Sequence, residues 1–231
     1  MKHLIKPLAV LFAVCISTSY VFAQKPSPEL LTPTNHALVM IDYQSQMGFA
    51  TKNIDLNELR NNVAIVAGAS KIFNVPTVVT TAARRSFSGP VFFEVSDFYP
   101  TDSYIDRTTM NTWEDVNAYK AITEKNKKKI VFAGLWTSVC IVEPALSAKA
   151  DGYDVYVITD ASGDQSKEAH DMAITRMVQA GVKTMTSVQY LLELQRDWAR
   201  TETYKAVTDL VKKYGGTYGL GIQYAHDMLP H

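Results

Sequence analysis

A single doubly wound, three-layer αβα domain around a six-stranded parallel sheet, Rossmann-like in outline, is the fold this sequence predicts. Three observations carry it. Apolar runs of strand length recur along the chain, the strongest at residues 37–41 and 130–135. Segments whose apolar residues step by three and four lie between such runs, and strands alternating with helices argue for a parallel sheet covered on both faces. The chain has 231 residues, enough for one domain with a sizeable core, and it carries no internal repeat or low-complexity segment.

Residues 1–23 read as a secretory signal peptide rather than as part of the fold. Lys2 and Lys6 supply a positive start, 8–16 is an apolar core, and Val21 and Ala23 precede a cleavage site at Gln24. The apolar run is too short for a membrane span. The expectation is a periplasmic or secreted protein with no membrane association after cleavage. Residues 24–35 contain Pro26, Pro28 and Pro33 and read as an extended linker, leaving 36–231 as the domain with a helical C-terminal tail.

Within the domain, 37–41 is a buried strand ending at Asp42. Residues 57–74 place Leu59, Val63, Val66 and Phe73 on one helical face, and Pro76 introduces a second strand at 77–81. Residues 84–100, with Gly89-Pro90 and several aromatics, read as a long loop over the sheet edge. A short third strand at 104–107 is followed by a helix over 113–127, whose closing lysines suit the negative end of a helix. The central strand 130–135 leads into a helix over 139–150, closed by Asp151-Gly152. A fifth strand at 154–159 ends at Asp160. A helix over 166–180 carries Ala169, Met172, Ala173, Met177 and Ala180 on one face, and a sixth strand follows at 183–187. Two helical segments run over 190–214. The glycines of 215–221 follow a helix, not a strand, so they lack the context of a dinucleotide loop and read as a folded-over tail or a subunit contact.

Composition narrows the function. The whole chain balances 23 basic against 23 acidic side chains; loss of residues 1–23 removes two lysines and no acid, leaving a net charge of about −2. No basic face is implied, and nucleic acid is not an expected partner. Cleavage also removes Cys15, so Cys140 becomes the lone thiol of an exported chain, with no internal disulfide open to it. Such a thiol is either buried and inert or kept for its reactivity.

Functional groups of parallel α/β sheets collect at the carboxyl ends of strands. Asp42 follows the first strand, Arg107 the third and Cys140 the fourth. A carboxylate, a fixed cation and a thiol on one rim form a working set for nucleophilic acyl transfer. Cys140 also lies at the mouth of a helix, whose unpaired N–H groups and dipole favour a thiolate. Taken singly, each residue has a plainer reading: Asp42 as a turn cap, Arg107 as a loop charge, Cys140 as a small buried hydrophobe.

Three segments carry a resemblance: Ala37-Leu-Val-Met-Ile-Asp42-Tyr-Gln44, Ala133-Gly-Leu-Trp-Thr137-Ser-Val-Cys140 and Gly152-Tyr-Asp-Val-Tyr-Val-Ile-Thr-Asp160-Ala. Together they resemble the isochorismatase-like cysteine hydrolase family, and in particular its YcaC-type branch, over roughly residues 34 to 225. The resemblance implies an Asp–Lys–Cys triad. Asp42 and Cys140 match it, but the position of the lysine holds Arg107, which keeps the charge and cannot release its proton. Asp42 is then left to carry the proton transfers alone.

The resemblance further implies a non-proline cis peptide at Trp136–Thr137, with the Thr137 and Cys140 N–H groups forming an oxyanion hole. Gln44 and Trp113 are taken as pocket-lining residues. The Asp-x-His pair of metal-binding relatives is absent, because no histidine lies between Asp42 and Arg107. No metal and no other cofactor is expected. The implied function is hydrolysis of a small amide or related C–N bond through a Cys140 thioester, by a homo-oligomer acting on a small molecule. The competing readings are a thiol-based redox sensor, for which no resolving cysteine remains, and an inactive oligomeric scaffold.

Overall fold

The computed structural model describes residues 25–229; the signal peptide expected over 1–23 lies outside the described residues. In chain order the elements are β1 (His36–Ile41), α1 (Ser45–Phe49), α2 (Leu56–Ile72), β2 (Thr77–Ala82), α3 (Phe93–Ser96) and β3 (Ile105–Arg107). The second half runs α4 (Val116–Thr123), β4 (Lys129–Gly134), α5 (Val142–Ala150), β5 (Asp154–Ile158), α6 (Lys167–Gln179), β6 (Lys183–Met185), α7 (Ser187–Gln195), α8 (Thr201–Tyr214) and α9 (Gly216–Met228). Among the described residues no helix is long and apolar enough to cross a membrane.

All the expected strands form, in one parallel sheet of order β3-β2-β1-β4-β5-β6. The chain winds outward from β1 to β3, then returns to β4 beside β1. The order therefore reverses between β1 and β4, and the crevice outside their carboxyl ends is the place for a site in such a sheet.

Side-chain alternation on the central strands builds the two cores. Leu38 and Met40 face a layer holding Val63 of α2, Tyr190 and Leu194 of α7 and Val207 of α8. Ala37, Val39 and Ile41 face Ile122 of α4, Ala145 and Ala148 of α5, and Ala173 and Met177 of α6. With both faces covered, the strands read as unbroken apolar runs rather than as an alternation. Side-chain caps fix several helix starts: Asp55 accepts from Asn57 and Glu58 N–H, Asp115 from Asn117 and Ala118, and Ser166 from Ala169.

Several expectations need correction. Residues 84–100 contain α3, and α1 follows β1 without an obvious sequence signal. The helix expected over 113–127 is a 3₁₀ turn, Thr112–Glu114, and then α4. The glycine-rich stretch enters helix α9, in keeping with the expected helical tail. The physical reason is Gly219, where a Cβ would lie 2.2 Å from the Val211 carbonyl oxygen of α8. Only glycine lets α9 pack so closely, and that contact overrides its poor helix propensity. Leu220, Tyr224 and Met228 of α9 remain exposed.

Residues 25–35 lie against the amino end of the sheet. Leu31 is fully buried, its carbonyl accepts from Arg196 Nη2 at 2.6 Å, and Lys129 Nζ donates to Leu30 O at 3.0 Å. Beside them, the buried His36 ring meets Thr32 O through Nδ1 at 2.8 Å and Tyr190 OH through Nε2 at 2.9 Å. Burial, the main cause, lowers its pKa from 6.5 to about 4. The unfolded chain thus binds a proton that the folded chain refuses between about pH 4 and 6.5, and His36 makes stability fall as pH falls through that window. Thermal midpoints across that range are expected to lose this component of their acid-side slope in His36→Asn.

Candidate active site

Each functional side chain is positioned by a strand end. Asp42 leaves β1 with φ of 55°, a left-handed conformation that aspartate tolerates better than most residues, and its N–H still donates to Thr80 O at 3.1 Å. Arg107 is the last residue of β3, paired with Ala82 of β2. With β2 standing between β3 and β1, the long guanidinium arm spans two strand spacings, roughly 9.5 Å, to reach Asp42. Arg107 Nη2 donates to Asp42 Oδ2 at 2.7 Å, with both side chains fully buried, and Nη1 donates to the Thr109 carbonyl.

Cys140 lies in a π turn, Thr137–Ile141, between β4 and α5. Its i→i−5 bond runs from Ile141 N–H to Trp136 O at 3.3 Å. Pro144 is the third residue of α5, inside the first turn, where its missing N–H costs nothing. Gly134 is required where β4 ends, because a Cβ there would lie 2.1 Å from the Ile41 carbonyl oxygen. That close approach brings the ends of β1 and β4 together, and with them Asp42 and Cys140.

The turn is anchored from the loop after β5. Thr137 N–H donates to Gly163 O at 2.9 Å, and Ser138 N–H to Asp164 Oδ2 at 2.6 Å. The Thr137 hydroxyl bonds to Gly163 O at 3.1 Å and to His170 Nδ1 at 2.9 Å. On the other flank, Trp136 Nε1 donates to Met47 O at 3.1 Å.

The three predicted residues converge. The Cys140 thiol, 3% exposed, feels both Asp42 and Arg107, while the buried Asp42 Oδ1 and Arg107 Nε have no hydrogen-bond partner among the described residues. Burial raises Asp42 from 3.8 to about 6, opposed chiefly by the Arg107 charge and the Arg107 hydrogen bond. Burial also pushes the Cys140 thiol from 9.0 up to about 12, helped by the Asp42 charge and opposed by Arg107. This corrects the expectation of a thiolate at the helix mouth: burial favours the neutral Cys140 thiol at neutral pH. Desolvation outweighs the helix dipole here.

Other expectations also change. The cis peptide is Leu135–Trp136, one bond earlier than expected at Trp136–Thr137. Thr137 N–H is committed to Gly163 and is not a free oxyanion donor, whereas Trp136 N–H donates to no described residue. Trp113 is committed to packing: it is buried edge-on against Tyr119, Phe132 and Tyr153, with its indole N–H on Asp151 Oδ2 at 2.8 Å. Gln44 is likewise structural. Its amide spans Ala82 N–H at 2.8 Å and Gly89 O at 2.8 Å, pinning the loop after β2. Among the described residues no group of three or more His, Cys, Asp and Glu could hold a metal ion.

Sequence reading missed Gly163, Asp164 and His170. The rule that exposed Asp42 and Cys140, function at strand ends, points equally to the loop after β5.

Comparison with known proteins follows the same lines. The family model described as Isochorismatase domain matches residues 36–189. The chain is 35% identical over 169 residues to the probable hydrolase YcaC of Escherichia coli (strain K12), covering 73% of this chain and 81% of that protein. The crystal structure of E. coli YcaC, an octameric hydrolase of unknown specificity, superposes with a TM-score of 0.82 at 32% identity, covering 90% of this chain and all of that one. YcaC from Pseudomonas aeruginosa, with hexane-2,5-diol and covalent acrylamide, superposes with a TM-score of 0.81 at 30% identity, covering 87% of this chain and all of that one.

Proposed function

This chain belongs to the isochorismatase family, and we propose that it is an exported cysteine hydrolase that cleaves a small amide or related C–N bond through a thioester on Cys140. The observation that carries the reading is the convergence of Asp42, Arg107 and Cys140 in the crevice between β1 and β4.

The chemistry follows from the two raised pKa values. Cys140 Sγ attacks the substrate carbonyl carbon as its proton passes to Asp42, so no free thiolate accumulates. The tetrahedral oxyanion accepts from the Trp136 and Cys140 N–H groups. Collapse breaks the C–N bond, and Asp42 returns its proton to the leaving amine. Asp42 then takes a proton from water, the hydroxide attacks the thioester, and Cys140 leaves with the proton from Asp42. Arg107 transfers no proton. It holds Asp42 in place and keeps its charge compatible with burial.

A pKa near 6 is close to ideal for a base and acid working at neutral pH. Against redox sensing stands the lack, among the described residues, of a second cysteine to resolve a sulfenic acid. Residues 1–23 support export, and the octameric relative and the exposed apolar residues of α9 support a homo-oligomer. In the P. aeruginosa relative acrylamide is held covalently; here the acceptor for such an electrophile would be Cys140.

A panel of small amides, followed by mass spectrometry of trapped intermediates, tests the assignment. A Cys140 acyl adduct that disappears in Cys140→Ala is expected. Turnover that survives this substitution would sink it.

A further inference from the structure

We infer that His170 is a positioning residue for Cys140: its ring, acting through the Thr137 hydroxyl, holds the π turn that presents the thiol. The inference rests on the reading of Cys140 as the nucleophile but not on the identity of the substrate.

Within the turn, Val139 N–H and Ile141 N–H share the Trp136 carbonyl, at 3.1 and 3.3 Å. Neither Trp136 before it nor Ile141 before α5 caps a helix start with a side chain. A single wide turn of this kind is uncommon and keeps its shape only through its surroundings. Those surroundings are the loop after β5, through Gly163 and Asp164, α6, through His170, and on the other flank α1, through Met47 O.

Proton counting sets the roles in the last contact. The Thr137 hydroxyl has one proton, which it donates to Gly163 O, so at His170 Nδ1 it must accept. His170 therefore carries its proton on Nδ1. Burial, the main influence on the ring, keeps its pKa below the ordinary value, so the neutral ring with a fixed tautomer is the resting form. Thr137 is fully buried and opens the turn, three residues before Cys140. A shift of Thr137 displaces Sγ and the Cys140 N–H together. Misplacement of about 1 Å in a reacting group is enough to cost on the order of a hundredfold in rate.

The test uses the full chain and needs no substrate. The second-order rate of Cys140 alkylation by iodoacetamide is followed by peptide mass spectrometry in His170→Ala, His170→Gln and His170→Asn, with thermal midpoints measured alongside. Asparagine can place an N–H near the Nδ1 position, whereas glutamine places its N–H near Nε2. Alanine and glutamine are expected to slow alkylation about tenfold, and asparagine to restore it to within about twofold of the parent, as expected of a positional effect. Thr137→Val should match the alanine loss, with no further loss when the two are combined. An asparagine variant as slow as alanine, or an alanine variant as fast as the parent, would overturn the inference. Failure of the amide panel with this ranking intact would count against the hydrolase reading alone.

Discussion

Replacing Arg107 by leucine is expected to destabilise the chain by about 3–5 kcal/mol at pH 8, because Asp42 would be left buried without its cation. Both members of the pair are fully buried and joined at 2.7 Å. Even with the arginine present, Asp42 is raised from 3.8 to about 6, chiefly by burial. Without it, the same burial loses its main opposing charge and the carboxyl moves higher still. A folded-state pKa above the unfolded one means that the folded chain binds the extra proton, so this contribution to stability falls as pH rises through the window. In the parent that window runs from about pH 4 to 6. In the variant it extends upward, so the deficit should shrink on acidification. Urea unfolding at pH 5 and pH 8 measures this, and adding Asp42→Asn should recover much of the loss at pH 8. A variant as stable as the parent at pH 8 would show that the pair is not desolvated in solution.

Arg107→Lys tests a different property. Lysine keeps the charge but loses the fork that also serves the Thr109 carbonyl, at an expected cost of about 1–2 kcal/mol. The stability measurement must allow for His36, whose lowered pKa acts with the opposite sign over nearly the same range. The parent's acid-side profile between about pH 4 and 6 is then flatter than either residue alone would make it.

Asp42→Asn is expected to slow acylation of Cys140 by about 10²–10⁴-fold, the usual contribution of a positioned general base. The pH profile separates the mechanisms. If Asp42 takes the thiol proton, Cys140 reactivity rises through about pH 6 and then levels off. If a free thiolate reacts, reactivity keeps climbing tenfold per pH unit toward the thiol pKa near 12. The two groups titrate as a pair, so the observed midpoints belong to both. A profile in Asp42→Asn that still levels off near pH 6 would remove Asp42 from the proton transfer.

Much of the candidate site was legible because its residues sit where the chain leaves the sheet. The expected strands ended at Asp42, Arg107 and just short of Cys140, and a parallel sheet brings such ends to one rim. Trp113 and Gln44 were misjudged for one shared reason. Both are close in sequence or space to the site, but their polar atoms are committed elsewhere, to Asp151 and to the Ala82–Gly89 segment. Hydrogen-bond partners at separations of 38 and 45 residues leave no local trace. His170 was missed because it stands in the first turn of α6, while its partner, the Thr137 hydroxyl, lies 33 residues away along the chain.

By itself, then, the sequence determined the αβα layering, the strand ends where Asp42 and Arg107 stand, and the fact that Cys140 is the one cysteine after residue 23. These follow from hydrophobic period and residue identity, which act locally. Tertiary structure alone decided that Cys140 rests as a thiol and that Thr137 is an anchor rather than an oxyanion donor. It also decided that α9 forms on the bare backbone of Gly219. Each of these turns on desolvation or on a partner far along the chain, and both exist only after the layers have closed.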